Sequence, residues 1–459
     1  MRASTASVLL MAATLSGSGA VRKESFDREP PNWEGINNRS KAFELKEVVQ
    51  DFGYSAEKRL IGGRIQPAGE PAYYGYRLAK PLTLDSNFNA EGSIQIPEGG
   101  LHFMLAFFNT NTINEWRTPN SLGARINGRG ETFHCHLEYC TSRWRAGAGV
   151  IGVIVPGERI DAKSMPAGRY SWKLEYKPGR ATLTLNGEKA EAEIPREHLA
   201  DGCTFTHFGL LSLIKTWDSG SEVWIGDLSI NGVKIDLASD PKWDAFQNHR
   251  KYISGDTRPR FDFGWSKTHH AKGKMPGELG GLIFRGDCRE PARMAAYGDR
   301  IGTLTLKTPL RARGKVCMIR GITDSTASIG FYNATSSMKS NPSQSSSIPM
   351  DFLGINIEGP SSEGFFFYPV FRGHGGDGKA GASKAPRIYP DSKPRDWFLE
   401  YDPDKGRITV GLDNQTCSMD LSDSDKQIGA TFDRFGICTP WVDGNSVTVF
   451  FDDLEYTVE

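Results

Sequence analysis

Five blocks of this chain occur twice, in the same order. "PNWEGINNR" at 31–39 returns as "PKWDAFQNHR" at 241–250, and "QDFGYS" at 50–55 as "FDFGWS" at 261–266. "AFFNTNT" at 106–112 returns as "GFYNATS" at 330–336, and "RYSWKLEYKPGRATLTLNG" at 169–187 as "RDWFLEYDPDKGRITVGLDN" at 395–414. The last block, "CTFTHFGLLSLIKTWDSGSEVWIGDL" from 203, matches "ATFDRFGICTPWVDGNSVTVFFDDL" from 430. The offset drifts only from 210 (241 − 31) to 227 (430 − 203). A length of 459 residues already exceeds one ordinary core. The repeat divides it into two copies, 31–235 and 241–457.

Each copy reads as all-β. "RATLTLNG" and "GRITVGLDN" alternate apolar and polar residues and end at a turn-forming Asn or Asp. Glycine is abundant at 51 residues and aromatics make up 11%, in keeping with strands and turns. The order "WKLEY" or "WFLEY", turn, alternating strand, then a closing "EVWIGDLSI" or "VTVFFDDLEYTV" resembles the concanavalin A-like lectin/glucanase superfamily of laminin G-type jelly rolls. The resemblance covers both copies. It implies two tandem jelly-roll β-sandwiches, each with a concave face that usually receives carbohydrate, in a superfamily of binding modules, glycoside hydrolases and polysaccharide lyases. The chain departs from that superfamily's catalytic motifs. It has no Glu-x-Asp-x-x-Glu strand, and neither a Gln-Ile-His nor a Tyr-x-Lys-x-Gly-x-Tyr-x-Gln element, so no catalytic residue carries over by motif.

Residues 1–20, "MRASTASVLLMAATLSGSGA", combine Arg2, an apolar run from Val8 to Leu15 and small residues before position 21. They read as a cleaved secretory signal, too short to span a bilayer. The mature protein is therefore expected to be secreted or periplasmic, with no membrane span. Balanced charge, 55 basic against 55 acidic residues, gives no reason to expect nucleic acid as a partner. The seven cysteines form no CxxC pair. On one extended strand Cys135 and Cys140 would stand roughly 16 Å apart, too far for a disulfide unless the strand turns sharply.

The second copy serves as a comparison for the first. Gly53/Gly264, Gly62–Gly63/Gly280–Gly281, Trp172/Trp397 and Asp227/Asp453 recur in both and are expected to serve the fold. "FHCHLEY" at 133–139 behaves differently. Aligning "LGARINGRGETFHCHLEY" from 122 with "LGINIEGPSSEGFFFYPV" from 353 sets His134 against Phe366, His136 against Tyr368 and Glu138 against Val370. Every second side chain of a strand shares a face. A hairpin through "GRGE" therefore gathers Arg125, Asn127, His134, His136 and Glu138 on one polar surface, with Ala124, Ile126, Phe133, Cys135 and Leu137 toward the core.

Three chemistries compete for this strip with a plain solvated sheet face. A metal is disfavoured. His134 and Glu138 lie about 13 Å apart along a regular strand, beyond one ion's reach, and the arginines nearby oppose a cation. No metal or cofactor is expected. Hydrolysis of a glycan needs two carboxyls, for which Glu138 and Glu115 are the candidates. Elimination from a uronate chain needs a neutralised substrate carboxylate, work for Arg125 and Asn127, and an acid and base, work for His134 or His136 with a tyrosine. Arg117, Asn120, Trp116, Arg143, Trp144 and Tyr139 complete the candidate substrate contacts. The expectation is an exported protein that cleaves a polysaccharide or oligosaccharide, anionic by its arginines, as lyase or glycoside hydrolase. In it the second copy is degenerate, supporting the first or binding glycan. The alternative is a non-catalytic lectin-like or cell-envelope binding protein. A further loop, "KTHHAKGKMPGELGG" from 267, exists only in the second copy and is either an exposed loop or a lid over the first copy's cleft.

Overall fold

The computed structural model describes residues 19–459 except 40–45, 69, 98–101, 114–116, 130–131, 155–158, 161–162, 165–167, 213–219, 255–259 and 344–345. The signal segment predicted at 1–20 falls outside this set but for Gly19 and Ala20. The architecture is all-β: two tandem β-sandwiches, each of two antiparallel sheets.

In the first sandwich the front sheet runs, edge to edge, through Ala146–Ile154, Thr132–Cys140, Ser121–Arg129, His102–Phe108, Thr204–Ser212, Ala72–Thr83 and Asp244–Phe246. The back sheet includes Gly168–Lys177, Phe88–Ile96, Ser221–Ile230, Leu60–Ile65, Lys46–Ser55 and His249–Ser254. Between them Phe107, Leu122, Ile126, Phe133, Leu137, Tyr170 and Trp172 fill one buried core. A second, separate core lies between the sheets of the other sandwich, with Phe331, Ile355, Phe367, Trp397 and Phe451 among its members. The repeated glycines work as expected. Gly62 and Gly280 have φ of 151° and 150°, and a Cβ on either would lie 1.9 Å or 2.2 Å from a carbonyl oxygen of the adjacent strand. No other residue type fits there.

The boundaries read from the repeat need correction. "PNWEGINNR" heads the first copy but belongs to the second sandwich, where Trp33–Ile36 pairs with Ala296–Thr305. "PKWDAFQNHR" heads the second copy but belongs to the first sandwich, where Asp244–Phe246 pairs with Ala72–Thr83 and His249–Ser254 with Lys46–Ser55. Each docks in the same way. Trp33 packs on Tyr297 and Trp243 on the matching Tyr74, with ring centroids 5.5 Å apart in both pairs. On the neighbouring position Glu34 bonds to Arg300 and Arg434, while Asp244 bonds to Arg77 (2.7 Å) and His207 (2.8 Å). The first strand, Ala20–Glu24, also joins the second sandwich, laid along Ser446–Val458 with Ala20 opposite Val458. Sequence likeness identified the segments; pairing went to whichever sheet edge each could reach.

All seven cysteines are buried free thiols, and Cys135 and Cys140 sit on one continuous strand as the spacing required. The serine-rich stretch from 335 and the glycine-rich stretch from 373 are partly built into the second sandwich. Ser337 is buried and its carbonyl accepts from the indole of buried Trp441 (2.8 Å), and Lys379–Ala380 pairs with Gly364–Arg372 of the second sandwich.

Candidate functional site

The predicted hairpin is present: Ser121–Arg129 and Thr132–Cys140 pair with Arg125 opposite His136 and Asn127 opposite His134. The second copy sets Asn356 opposite Tyr368 and Glu358 opposite Phe366, the register the alignment required. Alternation then decides the faces. Leu122, Ala124, Ile126, Phe133, Cys135 and Leu137 point into the core, so Arg125, Asn127, His134, His136 and Glu138 share the outer face of the front sheet.

On that face the groups bond to one another. The Arg125 guanidinium lies 2.9 Å from Glu138 Oε1 and donates to Asn127 Oδ1 at 2.7 Å. Arg125 and Glu138 are both buried; His134 and His136 are half-buried, their rings stacked 6.0 Å apart. Burial, with the Arg125 charge and His134 adding to it, pushes the His136 imidazole down to about 4. It is therefore a neutral base at any pH near 7. His102, opposite Asn127 on the next strand, is buried on the same face.

One row of paired positions crosses the whole sheet from this cluster: His136, Arg125, Met104, Leu211, Tyr73 and Phe246 stand opposite one another in turn. Met104 and Leu211 are buried, with Ile113 packed on them. Beyond them the Tyr73 and Phe246 rings stack 5.8 Å apart at the far edge, with Phe246 exposed. Sequence reasoning missed His102, although "HFMLAFF" places it on the outward parity. It also missed the Tyr73–Phe246 pair, because Phe246 arrives on a segment assigned to the other copy.

Several predicted contacts do different work. Arg117 donates to the Pro360 carbonyl of the second sandwich (3.0 Å). Trp144 packs on the second core, its ring edge-on to Phe365 at 6.2 Å, and Arg143 lies over the Tyr389 ring at 6.0 Å. These three join the two sandwiches rather than face a substrate. Asn120 is buried and accepts from the Thr204 amide (2.9 Å), tying down a loop. Tyr139 points to the core side, its hydroxyl 2.9 Å from His198 Nδ1, whose Nε2 lies 3.1 Å from Glu363 of the second copy. Strand alternation accounts for the facing of Tyr139, against its reading as a substrate contact; no signal in one sequence forecast that another sandwich would cover 143–145. Glu115 and Trp116 lie outside the described residues.

The second copy's equivalent face is polar in its own way. Glu358 receives Arg285 at 2.6 Å and the Tyr368 hydroxyl, Arg285 also holds Asp324 at 2.5 Å, and Ser328 donates to Asn356 at 2.7 Å. The loop from 267 does not reach the first copy's cleft; it folds back on its own sandwich. Among the described residues no group of three or more His, Cys, Asp or Glu is arranged to hold a metal ion, and no helix is long and apolar enough to cross a membrane.

No family model matches the chain, and no curated protein matches it in sequence. Solved structures similar to it include domains LG4-5 of the mouse laminin alpha1 chain, at 12% identity over 88% of this chain and 90% of that one, with a TM-score of 0.24. The Emp47p carbohydrate recognition domain is 12% identical over 43% of this chain and 88% of its own, with a TM-score of 0.29. The polysaccharide lyase family 18 protein aly-SJ02 is 9% identical over 43% of this chain and 93% of its own, with a TM-score of 0.25.

Proposed function

We propose that this is an exported, carbohydrate-active protein whose first sandwich cleaves an acidic polysaccharide by β-elimination. The observation that carries this reading is His136: a half-buried imidazole held neutral beside a buried arginine, on the outer face of the sheet. Such a base removes the proton from the carbon next to a uronate carboxylate. The electron pair forms a carbon–carbon double bond and the glycosidic oxygen leaves, taking a proton from His134 alongside. Asn127, held in place by Arg125, supplies the hydrogen-bonding surface that receives the substrate carboxylate. Glu138 anchors Arg125 instead of acting as the acid, since it is buried and ion-paired. A hydrolytic pair with Glu115 therefore has less support.

A second reading, a lectin-like protein that binds without cutting, is favoured by one observation. The Arg125 guanidinium is already held by Glu138 and Asn127, a rigid arrangement suited to recognition. Incubation with acidic and neutral polysaccharides, followed by assays of reducing ends and unsaturated-uronate absorbance, separates these. Elimination gives both signals and loses both in His136→Ala. Reducing ends without unsaturation point to hydrolysis. Retention on glycan with no new ends leaves binding alone.

A further inference from the structure

The second sandwich carries a loop, residues 267–277, joining Phe261–Ser266 to Glu278–Phe284. The matching connection in the first sandwich, 56–59, is a tight turn. Two buried carboxylates hold the loop. Glu278, fully buried, accepts from the amides of His270 (2.8 Å) and Ala271 (2.7 Å). Asp452, also fully buried, accepts from Gly273 (3.0 Å), and its neighbour Asp453 accepts from Lys274 (3.1 Å). Ala271 is seated against Cys317 and Phe450 on the outer face of the second sandwich's sheet that holds Leu310–Gly321 and Ser446–Val458, and the His270 ring lies 4.6 Å from that of Phe450. In the first copy Leu60 stands where Glu278 does, and Gly226 where Asp452 does. The loop and both of its clamps occur together in one copy and are together absent from the other.

What this clamped backbone presents to solvent is basic. Lys267, His269, Lys272 and Lys274 are exposed, and among the described residues no carboxylate forms an ion pair with any of the three lysines. Burying two carboxylates is costly. A loop needed only as a connection would not require it, because the four-residue turn of the first copy makes the same connection. The chain as a whole has no net charge, so the basic character is local and not a by-product of composition.

We propose that loop 267–277 is a second, preorganised binding site for an acidic polysaccharide chain, with Lys267, Lys272 and Lys274 as its contacts to carboxylates or sulfates. This rests on the reading of the first sandwich as acting on an acidic glycan, and it adds an anchoring point on the other sandwich. An unbranched polyanion presents charges at regular intervals, which suits three cations fixed on one rigid loop better than a single ionic group does. Holding the backbone beforehand removes the loop-ordering part of the cost of binding.

The test uses the full-length protein and its Lys267→Gln/Lys272→Gln/Lys274→Gln variant on immobilised polyuronate and immobilised sulfated glycan. Cleavage of short uronate oligosaccharides is followed in parallel. The triple variant is expected to elute at lower salt and to bind at least tenfold more weakly, with cleavage of short oligosaccharides unchanged. Asp452→Gly, which installs the first copy's residue and keeps the lysines, is expected to weaken binding by a smaller factor. Equal retention of wild type and triple variant overturns the proposal, as does wild type failing to bind either matrix. Equal or tighter lysine-dependent binding to DNA-cellulose or to a polyglutamate peptide overturns its assignment to a glycan. Lysine-dependent glycan binding with no cleavage by wild type sinks the lyase reading and leaves this one standing; cleavage with lysine-independent binding does the reverse.

Discussion

Asn38 and Asn248, equivalent residues of the repeat, make the same two hydrogen bonds on opposite sandwiches. The Asn38 carbonyl accepts from the Phe263 amide at 3.0 Å and its side-chain amide donates to the Phe263 carbonyl at 2.6 Å. Asn248 does both to Phe52, at 3.0 Å and 2.5 Å. Both asparagine side chains are buried.

The exchange sets which fragments fold. A fragment of residues 46–254 contains every described strand of the first sandwich and is expected to give a cooperative thermal transition and a dispersed amide NMR spectrum. The fragment 31–235, drawn from the repeat, lacks Asp244–Phe246 and His249–Ser254 and is expected to be unfolded or aggregated. Equal folding of the two would show that the exchanged strands are dispensable. In the full chain Asn248→Ala should cost about 1–3 kcal/mol, since it strands the Phe52 carbonyl.

Arg125 and Glu138 form a buried pair, so removing one partner leaves the other charge uncompensated. Glu138→Ala is expected to destabilise the protein by about 3 kcal/mol, and the double variant Arg125→Met/Glu138→Leu by clearly less. Urea denaturation of Arg125→Met, Glu138→Leu and the double variant measures the coupling. Additive losses would mean that the pair is not an energetic unit.

His136 makes stability depend on pH. Its folded value, about 4, lies below the ordinary 6.5, so between these limits the unfolded chain binds more protons than the folded one. Stability is then lost as pH falls from about 6.5 to about 4. His136→Gln should lack that part of the loss, read as a smaller drop in Tm across the window. If His136 is also the catalytic base, the acid limb of kcat/KM should fall near pH 4, well below the position of an ordinary histidine.

Asp452 has the opposite sign. Burial raises its carboxyl from 3.8 to about 7, so between those values the folded chain binds the extra proton. Its contribution is fully present below about 3.8 and is lost as pH rises toward about 7. The Tm of Asp452→Asn relative to wild type should therefore improve from pH 4 to pH 7 and level off above. A difference that stays flat with pH would place the aspartate's titration elsewhere.

Much of the site was legible because strand periodicity is rigid. "FHCHLEY" allows one division of faces, and the second copy's "FFFYPV" fits the same register. The bonding within the face was not legible, since alternation puts Arg125 and Glu138 side by side without saying that they pair and are buried. Trp144, Arg143 and Arg117 were misread for a related reason. Aromatic and basic residues beside a candidate cleft resemble sugar contacts, and nothing local reveals that a second sandwich packs on them. The exchange of "PNWEGINNR" and "PKWDAFQNHR" was hidden most completely. Both segments carry the same Trp, acid and Asn, so either fits either dock, and only the path of the chain between them decides.

That path also orders events in time. The first sandwich has all its described strands once residue 254 has been made. Ala20–Glu24 and Trp33–Ile36 are synthesised before any of it, yet their partners end with Ser446–Val458. Trp33–Ile36 thus waits for Ala296–Thr305, and Ala20–Glu24 for the last strand of the second sandwich. Contacts of such long sequence separation form slowly. A nascent chain of this protein carries an unpaired, partly apolar leader that is open to chaperones, proteases and other copies until its far end arrives.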